Sequence, residues 1–170
     1  NQYLLNQTRD KKVKAFLINK EIDEIRGTLI RQTMFAEYEK CIHELVEAGN
    51  PLTLEVFKEK YRGLLETYFG DQFCIDDELT LEGLRIPHFY HAFYVYKYAT
   101  GISAAIALAK SVMSGDKSEK ERYLGLLRAG GSKYPIDILR DAGVDMEKPE
   151  PIREAIHHLE ERISELERLL

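Results

Sequence analysis

The sequence lacks most of the features that announce a chemistry. It holds two cysteines, Cys41 and Cys74, with no CxxC pair and no Cys/His cluster, so they read as two free thiols in a reducing compartment. A basic face is missing too: the formal net charge is −5, whereas neutralising phosphates needs the opposite sign, which excludes nucleic acid as a partner. No signal peptide is visible. The longest uncharged apolar run, near Ala99–Ala109, is too short to cross a bilayer, so no membrane partner is expected and a cytoplasmic location follows by default. There is no Gly-rich phosphate loop, no GxSxG elbow and no carboxylate pair that spacing marks as an acid/base couple. His43-Glu44-Leu45-Val46-Glu47 begins like a zinc-binding HExxH, but Glu47 stands where the second imidazole is needed and the ligand pair fails, so no metal ligand is assigned in this chain. His157 and His158 are adjacent, point to different parts of one helix, and read as solvated.

Strand alternation is absent as well, and what remains is helical periodicity throughout an all-α chain. At 170 residues, 44% hydrophobic and 31% charged, the chain is long and apolar enough for a folded domain with a real core. It opens on Asn1-Gln2-Tyr3-Leu4-Leu5, helix-like with no initiator Met and no cap, which reads as the C-terminal part of a longer protein. Thr8–Asp10 starts a long helix to about Ala48. Its two apolar stripes, Ile18/Ile22/Ile25/Leu29 and Ile30/Met34/Tyr38/Cys41/Leu45, predict cover on two sides within a larger helical assembly. Thr53 caps a helix to Phe69 that Gly70 ends, and Asp76 or Asp77 caps a short helix through Leu84. Further helices are predicted over Phe93–Met113, Ser118–Ala129, a short one from Pro135 closed by Gly143, and Pro151–Leu170. The stripe Ile152/Ile156/Leu159/Ile163/Leu166/Leu170 predicts that the last helix packs onto the parent domain rather than into a coiled coil.

One stretch stands apart. From Ile86 to Ala109 the sole formally charged side chain is Lys97, which predicts burial, yet the stretch carries His88, His91, Tyr90, Tyr94, Tyr96 and Tyr98. Every buried hydroxyl or imidazole needs a partner. Two readings stand side by side: amphipathic core residues whose hydroxyls reach carbonyls, or the lining of a cleft that hydrogen-bonds a ligand. Tyr94 and Tyr98, four apart, share a helix face, while Tyr96 points elsewhere. Gly101 and Ala105 offer a small face for close helix approach.

Ile86-Pro87-His88-Phe89-Tyr90, Phe93-Tyr94-Val95-Tyr96-Lys97-Tyr98-Ala99-Thr100-Gly101 and the earlier run Arg26 to Glu39 resemble the C-terminal region of oligoendopeptidase F, a family related to thimet oligopeptidase. Gly130-Gly131-Ser132-Lys133-Tyr134-Pro135 and Ala142-Gly143-Val144-Asp145-Met146 match in the same order, so the resemblance spans residues 1–170. It implies a mostly helical zincin-type zinc endopeptidase that hydrolyses short peptides, with the HExxH zinc ligands upstream of this chain and the upstream part of the same protein as its partner. This chain alone is then expected to be inactive. The resemblance assigns Tyr94 and Tyr96 to donating a hydrogen bond to the tetrahedral oxyanion, and His88, Tyr98 and Tyr90 to binding substrate, with Tyr98 a further candidate donor. Arg31, Gln32 and Glu37 read as structural hydrogen-bonding residues. The alternative is a non-enzymatic helical module that binds a peptide or protein in the aromatic groove or along the last helix.

Overall fold

The computed structural model describes residues 2–170. Eight α-helices carry the chain, and no strand occurs among the described residues: α1 (Gln2–Gln7), α2 (Lys11–Ile25), α3 (Arg31–Glu47), α4 (Leu54–Phe69), α5 (Tyr96–Met113), α6 (Lys117–Ala129), α7 (Pro135–Asp141) and α8 (Glu150–Glu167). Among the described residues no helix is long and apolar enough to cross a membrane. Two compact units form, one from Asn1–Gly27 with Thr100–Leu170 and the other from Thr28–Ala99.

Most boundaries follow local chemistry. The Asp10 carboxylate accepts from the Lys12 and Val13 amides to start α2, and Thr53 Oγ1 accepts from Val56 N–H to start α4. α4 ends at Gly70, whose φ of 70° is open to glycine at no steric cost. The predicted single helix from Asp10 to Ala48 is interrupted by a π turn at Arg26–Ile30. The extra residue in that turn lets Leu29 and Met34, five apart, follow one another as buried residues, which is why the second apolar stripe starts out of phase with the first. The segment capped by Asp76, which accepts from Leu79 N–H at 2.8 Å, is a 3₁₀ helix (Leu79–Leu84) rather than an α-helix.

In the Asn1–Gly27/Thr100–Leu170 unit, α5 contributes Ala104, Ala107 and Leu108 to a core shared with Ala142 and Val144, while α2 packs against α8. Two expectations are corrected. Gly101 and Ala105 are exposed, because the packed side of α5 is one of Ser103, Ala104, Ala107 and Leu108. Within this chain α8 buries Pro151 and Ala155, half-buries Leu159 and Leu166 of its apolar stripe, and leaves Ile152, Ile156 and Ile163 exposed. Finally, His158 is half-buried, with Nε2 2.7 Å from Glu21 Oε1; only His157 is solvated, beside Glu160 and Glu161.

In the Thr28–Ala99 unit, α3, α4 and the 3₁₀ helix enclose Met34, Phe35, Tyr38, Tyr61, Leu65 and Val95. Their polar centre is Glu82, whose carboxylate accepts from Arg31, from Arg85 at 3.4 Å and from the Tyr61 hydroxyl at 2.6 Å. Burial, and then Glu82 itself, push the Tyr61 phenol far above its ordinary pKa. Arg31 therefore has the structural role expected of it, as does Glu37, which accepts from Tyr68 at 2.8 Å. Beside this network the Tyr38 ring lies against Gly83: a Cβ there would stand 2.6 Å from Tyr38 Cε1. Cys41 and Cys74 are both free.

Gly83→Ala is expected to lower the unfolding free energy by about 1–3 kcal/mol, the usual range for overpacking, in denaturant titration. Removing Glu82 leaves a guanidinium and a buried phenol without their acceptor, so Glu82→Ala is expected to lose about 3 kcal/mol and Tyr61→Phe about 1 kcal/mol in the same measurement. Equal losses for the two would argue against Glu82 as the shared acceptor.

Candidate functional site: an open tyrosine face

The stretch predicted to be buried is instead anchored at two points and open between them. Phe89 packs on Tyr38 and Phe35, with ring centroids 5.8 and 6.1 Å apart, and Val95 is 0% exposed in the same core. Pro87 fixes a 3₁₀ turn over Pro87–Tyr90, a turn follows through Val95, and α5 starts at Tyr96 rather than at the predicted Phe93. Tyr90 is left 85% exposed, Tyr94 39% and Tyr96 50%. The expectation of burial fails for a physical reason: lack of charge was read as lack of water, but a phenol can sit at the surface with its hydroxyl solvated.

His88, Tyr94 and Tyr98 form one cluster. His88 stacks on Tyr94, with centroids 5.8 Å apart and planes 16° apart, and meets Tyr98 edge-on at 5.5 Å. His88 Nε2 lies 3.1 Å from the Tyr98 hydroxyl. Tyr94 and Tyr98 are themselves edge-on at 5.6 Å, although Tyr94 precedes the helix. Tyr98 is held above the ordinary phenol pKa, first by its interaction with the Tyr94 hydroxyl and then by burial. The Lys97 ammonium lies 5.3 Å from the Tyr94 ring centroid, a cation–π distance. Tyr96 opens α5, and Tyr90 ends the 3₁₀ turn.

Two carboxylates that sequence reasoning left out support this face. Glu82 ties α4 to the 3₁₀ helix that leads into the Pro87 turn. Glu39, 5% exposed on α3, accepts from the Phe93 backbone N–H at 2.7 Å. Phe93 has φ 57°, the only positive φ outside glycine among the described residues, a conformation that costs of order 1–3 kcal/mol for a bulky side chain. The His43 ring covers the Phe93 ring at 4.6 Å. The available signal was the placement of Glu39 between Phe35 and Ile42 on an apolar helix face, where an acidic residue needs a buried partner.

Among the described residues no group of three or more His, Cys, Asp or Glu side chains could hold a metal ion. A face of phenols and one imidazole can instead donate and accept hydrogen bonds and stack on planar groups.

Comparison with known proteins places this face in context. The chain is 48% identical to "Oligopeptidase PepF" of Bacillus subtilis, over 99% of this chain and 25% of that protein. It is 41% identical to "Oligoendopeptidase F, chromosomal" of Lactococcus lactis, over 98% of this chain and 28% of that protein. The chain thus spans about a quarter of the length of the curated relatives it matches. A crystal structure of oligoendopeptidase-F from Enterococcus faecium superposes with a TM-score of 0.95 at 42% identity, covering 99% of this chain and 32% of that one. The all-α expectation and the resemblance to the C-terminal region of oligoendopeptidase F are both borne out. With the profile of peptidase family M3 matching residues 1–158, the chain belongs to that family.

Proposed function

We propose that this chain forms the substrate-facing wall of a zinc-dependent oligoendopeptidase that hydrolyses short peptides. The observation that carries the reading is the cluster of His88, Tyr94 and Tyr98 on a core-anchored segment of a family M3 chain. Zinc belongs to this reading as a group held by residues outside the chain.

Hydrolysis of a peptide turns a planar carbonyl into a tetrahedral oxyanion, and a preplaced phenol donates a stronger hydrogen bond to the second than to the first. Tyr94 suits that role: its ring is fixed by His88, Tyr98 and Lys97 while the residue stays 39% exposed. Tyr96 is the second candidate donor, since it is half-exposed at the start of α5. Tyr98 holds the His88 ring in orientation, which leaves His88 set to bind or polarise the substrate amide. Tyr90, the most exposed of the four phenols, is placed to stack on or hydrogen-bond the peptide.

In a full-length peptidase carrying this segment, Tyr94→Phe is expected to lower kcat by roughly 100- to 1,000-fold with little change in KM, because the lost bond forms in the transition state. A loss carried by KM alone would make Tyr94 a binding group. The 170-residue chain by itself is expected to show neither stoichiometric zinc nor cleavage of a quenched peptide; zinc-dependent turnover by the chain alone would overturn the division of labour proposed.

A further inference from the structure

We infer that Glu39 is a positioning residue for the tyrosine face: its carboxylate fixes the backbone at Phe93 and thereby sets where Tyr94 stands. This rests on the proposed peptidase reading. Three observations converge. First, Glu39 is 5% exposed and is held away from water on α3, so its acceptor oxygens need a protein partner. The partner is the Phe93 N–H, 54 residues away, at 2.7 Å. A charged acceptor makes that bond stronger than an ordinary backbone contact.

Second, the bond lands on Phe93, at φ 57°. A phenylalanine does not keep that conformation unaided, and two contacts from α3 hold it: Glu39 on its amide and the His43 ring on its own ring at 4.6 Å. Glu39 and His43 are four apart and therefore reach the loop from one side of the helix.

Third, Phe93 is the residue before Tyr94, between two residues packed on the core, the half-buried Phe89 and the buried Val95. The two anchors pin the ends of the loop, but the direction in which Tyr94 leaves the backbone depends on the peptide between Phe93 and Tyr94. Releasing Phe93 to an extended conformation would turn that peptide and take the Tyr94 ring off His88. Glu39 touches no substrate on this account; it acts through the loop.

The test uses the full-length peptidase carrying this segment, with steady-state kinetics on a quenched peptide and hydrogen–deuterium exchange of the segment over residues 92–95. Glu39→Ala is expected to lower kcat by about 10- to 100-fold, the scale of a misplaced catalytic group, with KM within about twofold. It is also expected to speed exchange at 92–95. Glu39→Gln, which keeps an acceptor oxygen, should recover most of both effects. Phe93→Gly added to Glu39→Ala should regain part of the kcat, because glycine adopts a positive φ without help. If Glu39→Ala does not fold, Glu39→Met fills the volume without an acceptor and replaces it. Unchanged exchange in Glu39→Ala, or a Gln variant as impaired as the Ala variant, overturns the inference. Tyr94→Phe, run in parallel, separates the two claims. If it lowers kcat while Glu39→Ala does not, the positioning role alone fails; if it leaves kcat unchanged, the peptidase-wall reading fails and the positioning role with it.

Discussion

Packing of the half-buried Phe89 and the buried Val95 on the core around Tyr38 is the constraint on which the tyrosine face depends. Those two side chains are apolar and reach inward, so the residues between and beside them have nowhere to go but outward. His88 and Tyr90 flank the first anchor, and Tyr94 and Tyr96 flank the second. The core that receives the anchors is itself organised by Glu82, which gathers Arg31, Arg85 and Tyr61, and by Gly83, whose missing side chain makes room for the Tyr38 ring. A rigid floor beneath an open polar face suits a surface that must meet a transition state, because groups held in place before reaction need no reorganisation during it.

The chemistry of the face is that of neutral donors. Phenols and an imidazole can recognise a developing negative charge without carrying a full charge of their own, and Tyr98, raised above its ordinary pKa by Tyr94 and by burial, keeps its proton. Glu39 and Glu82 supply charge from below, where it orders the backbone and the core rather than facing the ligand. Acidic groups serving as scaffolding and phenols serving as contact surface is a division of roles that fits the proposed oxyanion-facing function.

Much of the fold was legible in the sequence because it is locally encoded. Thr53 caps α4 as expected and Gly70 ends it; of the start signals Thr8–Asp10 it is Asp10 that caps α2, and of Asp76 and Asp77 it is Asp76 that accepts from Leu79 N–H. Tyr94 and Tyr98 meet as expected from a spacing of four, but with Tyr94 outside the helix on which that expectation rested. Other features were hidden for definite reasons. A π turn adds one residue to a helix without breaking it, so Arg26–Ile30 left no stop signal and showed only as a change of stripe. The burial of the aromatic stretch was misjudged since charge counting cannot tell a solvated phenol from a buried one. Glu39 and Glu82 find partners 54 and 51 residues away, and no local pattern encodes such pairs.

The central claim, that the tyrosine face meets the transition state rather than the substrate, is tested most directly by comparing two ligands on one variant. Binding of a tetrahedral phosphinic peptide and of the matching uncleaved peptide would be measured on a full-length peptidase carrying this segment, with and without Tyr94→Phe. The account predicts that the tetrahedral ligand weakens roughly in step with the loss in kcat/KM while the planar peptide binds as before. Equal weakening of both, or of neither, would contradict it.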